Sequence, residues 1–114
     1  MEQIFPWQEI KSTADLEIIV QESFKHTIVI FKHSTRCSIS SIAKLRLESD
    51  WNQEQGDIHF YYLDLLNHRD ISRLIAEKFQ VHHESPQIIV IKNGEVVLDA
   101  NHLDIQVAEI LEVA

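Results

Sequence analysis

The stretch Thr27-Ile-Val-Ile-Phe-Lys-His-Ser-Thr-Arg-Cys-Ser-Ile-Ser40 decides how the chain is read. It opens on a continuous β-branched and aromatic run, Thr27 to Phe31, of the kind that forms a central strand buried on both faces. A short polar link follows. Then, from Ser38 to about Trp51, the apolar residues Ile39, Ile42, Ala43, Leu45, Leu47 and Trp51 recur mostly at helical spacing. Cys37, the only cysteine, stands where the strand gives way to that helix. Unpaired backbone N–H groups and partial positive charge at a helix N-terminus stabilise a thiolate, and Arg36 adds a cation next to it. A lone cysteine also serves as an inert, buried apolar side chain. The junction position is what points to chemistry.

Working outward, Ser12 to Phe24 reads as a first helix, with Ser12 as its cap, Asp15 answering in a capping-box manner, and Leu16, Ile19, Val20 and Phe24 on one face. Gln53 to Asp57, with Gly56, makes a turn before a second strand, Ile58 to Leu63. A helix beginning at Asn67 or Asp70 carries Ile71, Leu74, Ile75 and Phe79. After the polar link His82-His-Glu-Ser-Pro86, the runs Gln87 to Lys92 and Glu95 to Leu98 flank Asn93-Gly94, the strongest short hairpin signal because a type I′ turn needs positive φ at both positions. Asp104 to Val113 closes as an amphipathic helix with Ile105, Ala108, Ile110 and Leu111 inward. The order α-β-α-β-α-β-β-α predicts an α/β fold: a right-handed βαβ crossover and an antiparallel hairpin in a mixed four-stranded sheet, with helices on both faces.

Composition sets the limits. The 114 residues are 45% hydrophobic, which suits a single domain spanning 1–114 with one core. Two glycines and two prolines leave no low-complexity segment. The formal net charge of -8, with scattered basic residues, makes nucleic acid and anionic membrane poor partners. The N-terminus lacks the basic start and apolar core of a signal peptide, and no apolar run approaches the ~18 residues of a membrane span. A cytoplasmic protein is expected.

Ser85-Pro86-Gln-Ile-Ile-Val-Ile-Lys-Asn-Gly-Glu95 resembles the thioredoxin-fold pattern in which a cis-proline precedes a strand ending in Lys-Asn-Gly. Within that superfamily, Phe31-Lys-His-Ser-Thr-Arg-Cys-Ser-Ile-Ser40 is similar to the Phe-Lys-His-Ser-Thr-x-Cys-Pro-Ile-Ser core of the YtxJ-like, bacillithiol-linked bacilliredoxins. The likeness runs from Trp7 to the C-terminal helix. Ser38 departs from the proline usual after the cysteine. Relative to ordinary thioredoxins, Ser40 replaces the second cysteine and Phe31 the buried acid that assists it, and these two losses agree with each other.

The resemblance implies a monothiol thiol–disulfide oxidoreductase that removes bacillithiol from mixed disulfides on proteins. Cys37 is the nucleophile, with Arg36 and Ser40 assisting; Ser40, about one turn along the helix, either donates its hydroxyl to the sulfur or is a solvated helix serine. Ser38, Ser85, Pro86 and His33 are the expected substrate-binding residues. Bacillithiol is the co-substrate and no tightly bound cofactor is expected. The partners are bacillithiolated client proteins, with free bacillithiol or a partner redoxin or reductase closing the cycle, on a monomer or weak dimer. Two rivals remain: an iron–sulfur binding module resembling monothiol glutaredoxins, whose Gly-Phe after the cysteine is here Ser38-Ile39, and a non-redox scaffold. His33, His82 and His83 converge on Cys37 in this fold, but without zinc-motif spacing they read as polar loop histidines and no metal is assigned. His26, His59, His68 and His102 read as dispersed and structural.

Overall fold

The computed structural model describes residues 5–34, 37–51 and 57–114. Its sheet contains β1 (Trp7–Glu9), β2 (Thr27–His33), β3 (Ile58–Asp64), β4 (Gln87–Lys92) and β5 (Glu95–Asn101), in the spatial order β1-β3-β2-β4-β5. The helices are α1 (Thr13–Glu22), α2 (Ser38–Asp50), α3 (Arg69–Phe79) and α4 (Val107–Val113). β2 runs parallel to β3 and antiparallel to β4, and β4 pairs with β5 through the hairpin. The Asn-Gly turn takes its expected form, with φ of 54° at Asn93 and 77° at Gly94. Ser23 anchors it to the end of α1: its carbonyl accepts from Asn93 N–H at 2.8 Å and its hydroxyl from Gly94 N–H at 2.9 Å.

β2 is the axis of the molecule, with all seven residues buried. Strand alternation sends Ile28 and Ile30 into one core with Leu16 and Ile19 of α1 and Ile71 and Ile75 of α3. Val29 and Phe31 enter the other core, with Ala43 and Leu47 of α2 and Val107 and Ile110 of α4. At the α1 start, the Asp15 carboxylate accepts from Ser12 N–H at 3.1 Å, as the sequence pattern predicts.

Three readings change. The sheet has five strands, not four. The extra strand β1 spans only Trp-Gln-Glu, too short to show alternation, and is held by pairing of Trp7 with Phe60 and by packing of its indole among Phe5, Phe31 and Phe60. In α2 the helix turns Ser40, Ala43 and Leu47 inward and leaves Ile39, Ile42 and Leu45 exposed. The last helix is interrupted: a single 3₁₀ turn, His102–Asp104, is followed by extended backbone at Ile105 and Gln106 before α4 begins. That break resets the helical phase, so Val107 and Ile110 are buried and Ala108 is exposed. The expected turn at 53–57 lies outside the described residues except for Asp57. No helix among the described residues is long and apolar enough to cross a membrane.

Candidate active site

Cys37 is the N-cap of α2, with extended backbone (φ -105°, ψ 118°) and a half-buried side chain. Its N–H donates to the Ser34 carbonyl at 3.1 Å and its carbonyl accepts from Ser41 N–H at 3.1 Å, which fixes the backbone on both sides of the thiol. Ser38, the first helical residue, is exposed. Arg36 lies outside the described residues.

Ser40 is fully buried, not a solvated helix serine. Its Oγ accepts from Ser34 N–H at 3.0 Å and pairs with His33 Nδ1 at 2.7 Å. Among the described residues these are its partners, and the Cys37 sulfur is not one of them. His33 is likewise no loop histidine: it ends β2, is buried, and faces the α2 side of the sheet rather than an open substrate surface. Burial, followed by the nearby Lys44 cation, lowers its pKa, so the ring is neutral at pH 7. A neutral ring leaves two arrangements. Either Nδ1 accepts the Ser40 proton, or Nδ1–H donates to Oγ and frees the Ser40 hydroxyl hydrogen.

On the opposite face, Lys32 is fully buried and its pKa is lowered to about 8 by desolvation. Its Nζ donates to His83 Nδ1 at 3.3 Å, and Ser72 Oγ lies 3.2 Å from the same nitrogen. A lysine ammonium can only donate, so Nδ1 accepts from it and the ring proton sits on Nε2. Burial and then Lys32 lower the His83 pKa as well.

The Ser85–Pro86 bond is cis. Gln87, the next residue, pairs with Lys32, so the proline loop lies at the end of the sheet where β2 finishes and Cys37 follows. The loop is pinned by the Pro86 carbonyl accepting from His102 N–H at 2.8 Å and by Gln87 Nε2 donating to the His82 carbonyl at 2.9 Å. A groove of about 520 Å³ opens beside it, bounded by Ser34, Ser85, His83 and, from α3, Arg69, Ser72 and Arg73. Sequence reasoning singled out neither arginine, because nothing in the pattern of α3 marks which face meets the groove. His26 and His59, read as dispersed, come together away from the thiol: their rings stack at 4.2 Å, with Asp57 accepting from His26 at 2.6 Å and Glu22 from His59 at 3.0 Å.

Residues 8–110 match the family model described as monothiol bacilliredoxin BrxC. A solved structure described as "a putative oxidoreductase with a thioredoxin fold" is similar at 31% identity and a TM-score of 0.82, covering 95% of this chain and 93% of its own. A Schistosoma mansoni thioredoxin is similar at 26% identity and a TM-score of 0.66, with 95% and 94% covered. A Fasciola hepatica thioredoxin, at 21% identity and a TM-score of 0.67 with 92% and 93% covered, shares the fold.

Two outcomes are expected. Ser40→Ala leaves His33 Nδ1 and Ser34 N–H without their buried partner and should lower unfolding free energy by about 1–3 kcal/mol in denaturant titration; an unchanged midpoint would contradict the buried network. Lys32 has a folded pKa of about 8 against an ordinary 10.5, so the native state binds fewer protons than the unfolded chain between these values. Stability from this group therefore rises with pH across that window. Relative to Lys32→Met, wild type should gain about 2–3 kcal/mol from pH 8 to pH 10.5, and a pH-independent difference between the two proteins would contradict the assignment.

Proposed function

The chain belongs to the monothiol bacilliredoxin family, and from that premise we propose that it removes bacillithiol from mixed disulfides on client proteins. The observation that carries the proposal is the sole cysteine at the N-cap of α2, with buried Ser40 one turn further along where a dithiol thioredoxin has its second thiol. The chain is a thioredoxin-fold thiol oxidoreductase by family and fold. Its single thiol supports one-sulfur exchange.

In the proposed cycle the Cys37 thiolate attacks the bacillithiol sulfur of the client's mixed disulfide. A Cys37–bacillithiol disulfide forms, the client–bacillithiol bond breaks, and the electron pair leaves on the client thiolate. A second bacillithiol thiolate then attacks the bacillithiol sulfur on Cys37, releasing bacillithiol disulfide and restoring the Cys37 thiolate. The first step leaves the oxidation level of the system unchanged; the second transfers the disulfide to the small thiol. A partner redoxin could take the role of that second thiol.

The chain itself supplies orientation. Backbone bonds from Ser34 to Cys37 and from Cys37 to Ser41 hold the sulfur at the helix start, where the aligned N–H groups favour negative charge. The buried Ser40–His33 pair beneath the loop holds Ser34 N–H in place. Ser40 thus serves the thiol by fixing the loop that carries it. Ser85 and Pro86 lie at the same end of the sheet and are the proposed backbone contact for the incoming adduct.

Cys37→Ser is expected to abolish release of bacillithiol from a modified client protein, followed by mass with excess bacillithiol as reductant, while leaving the circular dichroism spectrum unchanged. Release at the wild-type rate by the Cys37→Ser protein would contradict the proposed chemistry. Equal turnover of a glutathione adduct by wild type would leave thiol exchange standing and remove the bacillithiol assignment.

A further inference from the structure

The groove beside the proline loop has an unusual charge for this chain. Acidic residues outnumber Lys and Arg by 18 to 10, yet among the described residues no carboxylate lines it. Arg69 and Arg73, one turn apart on α3, both border it, and among the described residues neither makes an ion pair. Nearby acids are turned elsewhere: Glu84 lies 3.8 Å from His82 and 3.6 Å from His102, and Asp70 and Glu77 of α3 do not line the groove. Behind its wall, buried Lys32 reaches His83 Nδ1 and has no carboxylate partner among the described residues. Ser85 Oγ, at the groove edge, is buried with no hydrogen-bond partner among the described residues, a vacant polar group of the kind a ligand satisfies.

We propose that this groove is an anion subsite that takes the carboxylates of the low-molecular-weight thiol exchanged at Cys37. The inference rests on the exchange reading above and names the part of the adduct that is recognised. Paired arginine forks match carboxylates bidentately, which a single lysine cannot do. At about 520 Å³ the space suits a small molecule. Ser34 belongs both to the groove lining and to the loop whose carbonyl binds Cys37 N–H, so an adduct anchored on the arginines has its sulfur end directed toward the thiol. Bacillithiol, whose malyl group is a dicarboxylate, has the required chemistry. An anion here also offsets the cost of keeping Lys32 charged.

The test uses the full chain, wild type and Arg69→Gln/Arg73→Gln, on one peptide with neutral residues around its cysteine. The peptide carries either bacillithiol or uncharged 2-mercaptoethanol in mixed disulfide. The ratio of kcat/KM for the two adducts should fall about tenfold to a hundredfold in the double variant, the loss expected for charge-assisted hydrogen bonds. Arg69→Lys/Arg73→Lys should recover part of it, and added salt should shrink the wild-type ratio. A ratio equal to that of wild type would overturn the subsite while the exchange reading stands. A second peptide, flanked by aspartates and carrying 2-mercaptoethanol, is run in parallel; a loss seen only with that peptide would assign the arginines to client carboxylates and also overturn the subsite. Wild-type protein inert toward every adduct would overturn the exchange reading and this inference together.

Discussion

Burial of β2 on both faces is the constraint on which the rest depends. A central strand flanked by β3 and β4 must be apolar wherever its side chains enter a core, and Ile28 to Phe31 obey this strictly. At its C-terminal end the strand carries Lys32 and His33 into opposite faces while still buried. Each polar group then needs a partner, because an unmade hydrogen bond in the interior costs about 1–3 kcal/mol. His33 finds Ser40 on α2, and Lys32 finds His83 ahead of the proline loop. These two bonds tie the elements that surround the thiol to the strand that delivers it.

The same packing agrees with the single cysteine of the sequence. Phe31 fills the α2-side core with Ala43 and Leu47, leaving that space apolar where an ordinary thioredoxin is expected to hold an acid. Ser40 is held in a closed hydrogen-bond set with His33 and Ser34. A thiol exchanging at Cys37 has no second thiol in this chain to finish the reaction, so the mixed disulfide must be resolved by another molecule. Recognition of that molecule is then central to the chemistry.

Much of this was readable along the chain because it is local. The β-branched run, the cysteine at the helix start, the Asn-Gly turn and the capping Asp15 each act within a few residues, and each stands where its pattern predicts. What escaped depends on distant partners. Strand β1 exists because Trp7 meets Phe60, and the phase of α4 follows from a break that no glycine or proline announces. Ser40 and His33 are seven residues apart, and whether either is buried depends on how α2 rolls against β2. The groove draws on the link after β2, on α3 and on the proline loop, so its arginines carry no mark until those segments are assembled.

The most direct measurement is a single turnover of the wild-type protein with a bacillithiolated client, quenched in acid and read by intact and peptide mass. Attack on the bacillithiol sulfur should produce a transient Cys37–bacillithiol disulfide that rises at the rate at which the client loses its modification, and that decays when free bacillithiol is added. A Cys37–client disulfide in its place, or loss of the modification from the client with Cys37 unmodified throughout, would contradict the account.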